Sequence, residues 1–341
     1  MRYRLLGRTG LRVSELFFGA MTFYERGGPD AAREYRAMLD AYAGAGGNVI
    51  DTASAYGESE DVLGGLLTGR RDRFVVSTKY TLSRDRTDPN AAGNHRKNLT
   101  LSLERSLRRL RTDHIDLYWV HVWDRHTPVE ETMRALDDAV RAGKILYVGV
   151  SDVPAWLVAR ANTLAEWRGW TSFAGLQVPY NLLRRDIERE LLPMAEAFGM
   201  SVAAWGPLAG GVLSGKFTGP EGAAGTGGAT RVDPGSLTAR EHAVAGAVRE
   251  VAGELGATAA QVAIAWTRAR SAAVHPIVGA RDAVQLEENL GAADLLLPGE
   301  AVRRLESAAE FALGFPGDFI AECEADPWVF GEAYPGIAAR S

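Results

Sequence analysis

The chain has 341 residues, a formal net charge of −5 and 46% hydrophobic residues, which is enough apolar sequence for a sizeable core. The acidic balance argues against a nucleic-acid surface, and no apolar run reaches the roughly 20 residues of a membrane helix. Cys323 is the only cysteine, so no internal disulfide can form, as is usual in a reducing cytosol. The first residues lack a signal-peptide pattern. We therefore expect a cytoplasmic protein without nucleic-acid or membrane partners.

The apolar pattern divides the chain into alternating strands and helices. Residues 3–13 predict two short strands around Gly7-Arg8-Thr9-Gly10. The later strand candidates are 16–20, 48–52, 74–79, 115–121, 146–151, 175–178, 201–205 and 276–279. The helical candidates are 30–43, 59–67, 95–110, 129–142, 154–166, 186–197, 239–255 and 282–290. Eight strand–helix alternations predict an α/β protein, a (β/α)8 TIM barrel formed by residues 1–341 as a single domain.

Three segments break this alternation. Residues 218–236 are rich in Gly, Ala, Thr and Pro and predict a surface loop after the seventh strand, either a lid over a cofactor or a passive linker. Residues 83–95 form a second irregular stretch on the same face. In residues 311–341 the aromatic and proline residues are too scattered for a helix face, which predicts an irregular C-terminal tail.

Polar side chains follow three of the predicted strands. Asp51 and Tyr56 follow the strand 48–50, Lys79 follows 74–76, and His121 follows 115–120. In a parallel barrel the carboxyl ends of the strands form the functional face, so these residues should meet. A tyrosine donates a proton to a carbonyl oxygen when a nearby ammonium acidifies its phenol, and a carboxylate can hold that ammonium. An imidazole can orient the substrate oxygen.

Each of these residues also has a structural interpretation. Tyr56 can be a buried core tyrosine, and Lys79 with Asp51 can form a structural buried ion pair. His121 lies close in sequence to His114 and His126, which raises a metal site. No Cys or Glu set accompanies these histidines, so no metal is expected.

Several stretches of the sequence together resemble the aldo-keto reductase family, and the resemblance extends over nearly the full length of the chain. The matching stretches are Asn48-Val-Ile-Asp-Thr-Ala-Ser-Ala-Tyr-Gly-Glu-Ser-Glu, Ser77-Thr-Lys, Ile115-Asp-Leu-Tyr-Trp-Val-His, Gly149-Val-Ser, Gly206-Pro-Leu-Ala-Gly-Gly-Val-Leu-Ser-Gly-Lys, and Gly279-Ala-Arg followed by Gln285, Glu288 and Asn289. The resemblance implies a nicotinamide-dependent carbonyl reductase on a (β/α)8 barrel. The stretch around Gly206 looks closer to the branch of bacterial sugar and ketone reductases and potassium-channel β subunits. The N-terminal hairpin would close the bottom of the barrel.

Cofactor binding must use a site other than a Rossmann loop, because no Gly-x-Gly-x-x-Gly follows the first strand. Arg281 and the backbone N–H groups at the start of the helix 282–290 can hold an anion, and Arg281 suits a 2′-phosphate, which favours NADPH. The resemblance implies a wider set of cofactor residues. They are Ser151, Asp152, Gln177, Trp205, Pro207, Leu208, Gly210, Lys216, Gly279, Gln285, Glu288 and Asn289. Arg231, in the loop 218–236, is a further candidate that would clamp the cofactor from outside. Asp152 stands where many family members have Asn, and an ionised Asp can only accept hydrogen bonds.

Aromatic residues just after strand ends predict the walls of a substrate pocket: Phe23, Tyr24, Tyr80 and Trp123. Arg84 and Arg125 are candidates for a phosphate or carboxylate on a larger substrate. The reaction predicted is NADPH-dependent reduction of an aldehyde or ketone with Tyr56 as proton donor. Two alternatives stay open: an NADPH-binding regulatory subunit with little turnover, and a reductase dedicated to a biosynthetic keto-sugar. A homo-oligomer is possible.

Overall fold

A computed structural model describes residues 1–25, 27–217, 232–325, 329 and 331. The strands are β1 Tyr3–Leu5, β2 Arg12–Ser14, β3 Phe17–Gly19, β4 Val49–Asp51, β5 Val75–Tyr80, β6 Ile115–Val120, β7 Ile145–Ser151, β8 Gly175–Pro179, β9 Ser201–Trp205 and β10 Val274–Val278. The helices are α1 Gly28–Gly44, α2 Ser59–Leu66, α3 Arg96–Leu110, α4 Val129–Arg141, α5 Ala155–Arg168, α6 Leu191–Ala197, α7 Ala239–Leu255, α8 Ala259–Ala269, α9 Ala283–Leu290, α10 Gly299–Ala309 and α11 Gly317–Ala325.

The strands β3 to β10 form a closed parallel barrel in the order β10-β3-β4-β5-β6-β7-β8-β9. Helices follow the strands along the chain and cover the outer face, so both faces of each strand are buried, as parallel sheets require. Bulky side chains such as Leu117 and Trp119 fill the interior, while the helices pack through a larger apolar layer outside. The predicted (β/α)8 barrel is confirmed.

The N-terminal hairpin closes one end of this barrel. Strands β1 and β2 pair antiparallel. Leu6, in the turn between them, is fully buried in the interior cluster. The Gly7 N–H donates to Ser201 Oγ at the start of β9 (2.9 Å), and a Cβ on Gly7 would lie 2.5 Å from the Ala174 carbonyl oxygen. The hairpin therefore seals the amino-terminal end of the strands and leaves the carboxyl end for the site.

The helices differ from the sequence prediction in four places, and one of them is α10, Gly299–Ala309, where no helix was predicted. Helix α8 was not predicted, because its apolar residues surround the axis and give no polar face; its capping box, Thr258 with Gln261, is the signal that marks its start. The predicted helix 186–197 is a short 3₁₀ turn, Asp186–Glu188, followed by α6. The prediction of an irregular tail is wrong for Gly317–Ala325, which forms α11.

A buried histidine near the sealed end of the barrel is expected to lower the stability of the fold in acid. His275, on β10, is almost wholly buried, and burial lowers its pKa to about 4; Arg4 and Arg268 add to this, whereas the Ser14 carbonyl and Glu15 oppose it. An unfolded histidine takes up its proton near pH 6.5, whereas the folded one resists protonation, so stability is lost as the pH falls from about 6.5 towards 4. We expect a loss of about 3 kcal/mol from this group.

Urea unfolding followed by circular dichroism at pH 7 and pH 4 measures this loss. The variant His275→Gln cannot titrate and should lose less stability over the same range. Equal losses in the two proteins would contradict the assignment.

Candidate active site

The carboxyl ends of three neighbouring strands bring the four predicted residues together. Asp51 is the last residue of β4, Lys79 lies one residue before the end of β5, and His121 directly follows β6. Tyr56 lies in the loop between β4 and α2. The Lys79 Nζ atom is 4.9 Å from the centroid of the Tyr56 ring, and the His121 ring meets the Tyr56 ring edge-on at 5.7 Å.

Lys79 and Asp51 form a buried ion pair. The side chains are 1% and 5% exposed, and Lys79 Nζ donates to Asp51 Oδ2 and to the Thr52 carbonyl oxygen. Burial opposes the charge on Lys79, but the Asp51 carboxylate offsets it and the net pKa of Lys79 is raised. Lys79 therefore remains a cation beneath Tyr56.

Tyr56 has the environment of a protonated donor. Burial raises the pKa of its phenol, while the Lys79 ammonium lowers it, and the net pKa of Tyr56 is raised. The prediction that Lys79 acidifies Tyr56 thus describes one of two opposing effects, and burial is the larger in this conformation. The phenol keeps its proton at neutral pH.

His121 is a neutral imidazole. Burial, together with the Lys79 charge, lowers the pKa of His121 to about 3. Its Nδ1 atom is buried and has no hydrogen-bond partner among the described residues. At neutral pH the ring therefore carries one N–H and can donate without bringing a second cation to the site.

Three further strand ends carry Ser151, Gln177 and Trp205, on β7, β8 and β9. Ser151 and Gln177 are register partners, and the Gln177 amide donates to Asp51 Oδ1 at 3.1 Å. Trp205 is 37% exposed, and its indole N–H donates to Asp152 Oδ1 at 3.3 Å. The structure thus places these residues side by side around the same end of the barrel.

Asp152 has an unusual backbone. Its φ is +48°, a left-handed conformation in which Asp and Asn are enriched. The residue remains exposed, but partial desolvation still raises the pKa of its carboxyl, and this outweighs the opposing effects of Trp205 and Lys79. An ionised Asp side chain accepts hydrogen bonds and cannot donate one, so the change from Asn still removes a donor at this position.

The stretch after β9 forms a tight glycine turn beside Trp205. Gly210 and Gly211 have φ values of +69° and +100°, which only glycine adopts readily, and a Cβ on Gly211 would lie 2.7 Å from Lys216 Nζ. Trp205 and Gly210 line an open cavity of about 650 Å³. Pro207 and Leu208 lie within this stretch. Arg231, predicted to clamp the cofactor, lies outside the described residues, as do residues 218–231 of the predicted lid.

The start of α9 differs from the predicted anion site. Two of its N–H groups are already bonded to side chains: that of Gln285 donates to Asp282, and that of Ala283 to Glu34. The Arg281 side chain is exposed and remains the anion-binding candidate of this turn. Asn289 donates to the Gly279 carbonyl oxygen at 3.3 Å, while Glu288 is exposed on the same helix.

The four aromatic candidates divide into two pairs. Phe23 and Tyr80 are fully buried: Phe23 stacks on Tyr35, and the Tyr80 hydroxyl donates to the Asn94 carbonyl. Neither side chain is exposed in this conformation, so a substrate role for either one stays a prediction. Tyr24, 47% exposed, and the half-buried Trp123 remain available.

The two arginine candidates also differ from each other in their surroundings. Arg84 donates to Asn98 at 3.2 Å and is partly buried, whereas Arg125 is exposed.

Sequence reasoning missed residues that hold these loops. Ser77 donates to Asp51 Oδ1 at 2.6 Å, and its position two residues before Lys79 on the same face of β5 was the available signal. Asn94 is fully buried and donates to Thr81 Oγ1 and the Val122 carbonyl, joining the loops after β5 and β6. Thr81, at φ +92°, accepts from the His121 N–H. Nothing in the sequence marks this network.

The described residues include no group of three or more His, Cys, Asp or Glu side chains arranged to hold a metal ion. None of the helices in the described ranges is long and apolar enough to cross a bilayer.

A buried lysine–carboxylate pair beside a tyrosine and a histidine at the carboxyl end of a parallel barrel is the arrangement described above, and comparison with known proteins identifies the family. The aldo/keto reductase family matches residues 15–310. The chain belongs to that family and is an NAD(P)-dependent oxidoreductase.

Relatives of known name are similar over almost the whole chain. A norsolorinic acid reductase of Emericella nidulans is 40% identical over 92% of this chain and 82% of its own length. A putative aryl-alcohol dehydrogenase of Saccharomyces cerevisiae is 36% identical over 98% of this chain and 93% of its own length. An aldo-keto reductase of Aspergillus calidoustus is 38% identical over 99% and 88%. These relatives are fungal; the likeness to the bacterial and channel-subunit branch stays a prediction.

Proposed function

We propose that this protein reduces an aldehyde or ketone to an alcohol with NADPH, and that Tyr56 protonates the carbonyl oxygen. The observation that carries the proposal is the wholly buried Lys79, held by Asp51 and lying 4.9 Å from the centre of the Tyr56 ring. A buried ammonium is costly, and placing it against a partly exposed phenol has a chemical use.

Tyr56 and Lys79 act as a unit in this proposal. Reduction needs a group that is protonated at neutral pH, and the raised pKa of the half-buried Tyr56 phenol meets this need. As the proton leaves, Lys79 stabilises the phenolate that forms. Asp51, which also accepts from Ser77, keeps the Lys79 ammonium in place. A bound nicotinamide supplies the hydride that the carbonyl carbon receives.

His121 orients the substrate oxygen. Its Nδ1 atom is buried without a partner, so we assign Nε2–H to the carbonyl oxygen. A neutral donor suits this role, because an imidazolium would compete with Tyr56 as the acid and would repel Lys79. The pKa of about 3 keeps His121 neutral over the working pH range.

The residues on the remaining strand ends fit a nicotinamide cofactor. Trp205 offers an exposed aromatic face, and Ser151 and Asp152 offer polar groups beside it. The glycine turn around Gly210 and Gly211 has no side chains to obstruct a diphosphate, and Lys216 lies against it. Arg281 is the group we assign to a 2′-phosphate.

An aromatic carbonyl compound is the substrate class we propose. Tyr24, Tyr56 and Trp123 present rings near the site, and ring-lined pockets favour flat apolar substrates. The relatives named for norsolorinic acid and for aryl alcohols support the same class.

Loss of NADPH absorbance tests the function directly. The purified protein is assayed with aryl aldehydes, aliphatic aldehydes, ketones and keto-sugars. Turnover of the aryl compounds is the expected result. NADPH binding without turnover of any compound would favour the regulatory alternative, and exclusive turnover of a keto-sugar would favour the dedicated reductase.

The variant Arg281→Ala should lose the preference for NADPH over NADH. A charge-assisted contact with the 2′-phosphate is worth about 1.5–3 kcal/mol, or roughly ten- to a hundredfold in affinity. Quenching of tryptophan fluorescence gives the dissociation constants of both cofactors for the wild type and the variant. Arg303→Ala, which removes an exposed arginine on α10, is the control. Equal affinities in the wild type, or an unchanged ratio in Arg281→Ala, would refute the assignment.

A further inference from the structure

One arginine, far from Tyr56 in sequence, holds the loop that carries it. We call residues 53–58 the Tyr56 loop. Arg109, near the end of α3, donates through Nη1 to the Ser54 carbonyl (3.4 Å) and through Nη2 to the Gly57 carbonyl. Ser54 and Gly57 lie two residues before and one residue after Tyr56. A single planar group therefore binds the loop on both sides of the proposed proton donor.

The same guanidinium is anchored by two carboxylates at the start of α2. Arg109 lies 3.2 Å from Glu60 Oε2 and 2.5 Å from Asp61 Oδ2. Glu60 is fully buried, and the Arg109 side chain is only 11% exposed. Five rigid donors suit an arginine, and not a lysine, to bond three acceptors at once while lying against the Glu60 carboxylate. The Arg109 guanidinium makes more contacts than are needed to hold a surface loop closed.

Glu60 extends the connection to the strand of the catalytic lysine. Its Oε1 accepts from Thr78 Oγ1 at 2.7 Å, and Thr78 directly precedes Lys79 on β5. The loop is also joined to this strand by the Ser54 N–H, which donates to the Lys79 carbonyl at 3.1 Å. Helices α2 and α3 touch here, since a Cβ on Gly64 would lie 2.3 Å from the Arg109 carbonyl oxygen. The support is therefore rigid.

We propose that Arg109 is a positioning residue for catalysis, which fixes the Tyr56 loop against β5 and so sets the distance between the Tyr56 hydroxyl and the Lys79 ammonium. The inference rests on the proposed function, because it assigns Tyr56 the role of proton donor. Arg109 acts through the loop backbone; no contact with substrate is required of it.

The variant Arg109→Met keeps the apolar stem and removes every donor. We expect kcat for carbonyl reduction to fall about 10- to 100-fold, as for a displaced catalytic group, with cofactor affinity within twofold of the wild type. In this variant the Tyr56 hydroxyl is no longer held at its set distance from the Lys79 ammonium, so the Tyr56 phenolate is stabilised less. The fall of kcat at alkaline pH should therefore move to higher pH. Arg109→Lys should restore part of the rate, and Arg108→Met, the exposed neighbour, should change neither quantity.

Two measurements distinguish a positioning role of Arg109 from an effect on stability, and they test that role independently of the proposed function. In Arg109→Met combined with Glu60→Gln, the unpaired buried carboxylate is gone, so Tm should recover while kcat stays low. Nuclear magnetic resonance of protein labelled at the tyrosine Cζ carbons needs no turnover, and the Tyr56 signal is the one lost in Tyr56→Phe. That signal should shift in Arg109→Met and not in Arg108→Met.

An unshifted Tyr56 signal, or a normal kcat and pH profile in Arg109→Met, would overturn the inference. If the wild type reduces no carbonyl compound, the proposed function fails while the signal still reports whether Arg109 positions Tyr56.

Discussion

Replacing Tyr56 with phenylalanine is expected to reduce carbonyl turnover by about 10²–10⁴, the usual contribution of a positioned general acid. The ring remains and keeps its edge-on contact with His121, so the fold should be little disturbed. Only the hydroxyl is lost, and with it the proton that neutralises the developing alkoxide. Steady-state turnover with an aryl aldehyde and fluorescence titration of NADPH measure the two effects separately.

A matched tyrosine makes this result specific. Tyr24 is 47% exposed beside the Tyr56 loop, and a Cβ on Gly57 would lie 2.8 Å from its ring. Tyr24→Phe removes a hydroxyl from the same neighbourhood and should leave kcat within a few-fold of the wild type. If Tyr56→Phe retained normal kcat, the proton would come from another group, and His121→Gln would be the next variant to measure.

The sequence predicted the barrel because each strand of the barrel, and most of its helices, has its own local signal. Runs of apolar residues mark strands buried on both faces, and the alternation with helices leaves few topologies. Placing Asp51, Lys79 and His121 at carboxyl ends of strands then brings them together without further information. Helix α8 was missed because burial on all sides removes the periodicity that identifies a helix.

The surroundings of the site residues needed the structure. Phe23 and Tyr80 follow strands as Trp123 does, yet they point into the core, because a position after a strand does not specify the direction of a side chain. The fold alone brings Arg109 to Gly57 across 52 residues and Gln177 to Asp51 across 126. Such pairings depend on how elements distant in sequence come together in the fold, and no local pattern records them.

The variant Lys79→Met is expected to lose activity to a similar degree as Tyr56→Phe, by a different route. Methionine fills the space of the lysine stem but has no charge to stabilise the phenolate that forms when Tyr56 gives up its proton. Residues that act as a unit are not additive, so Tyr56→Phe combined with Lys79→Met should be no slower than about the worse single variant. Additive losses would show that Lys79 contributes to the rate independently of Tyr56.

Lys79→Met should also be unstable, unlike Tyr56→Phe. Breaking a buried ion pair by removing one partner costs about 3–5 kcal/mol, because the remaining charge is buried and uncompensated. Asp51 keeps its bonds from Ser77 and Gln177, so we expect the lower end of this range. Adding Asp51→Asn removes the uncompensated charge, and the double variant should regain stability in urea unfolding while remaining inactive. Recovery of activity together with stability would show that Lys79 serves the fold and that the chemistry depends on other groups.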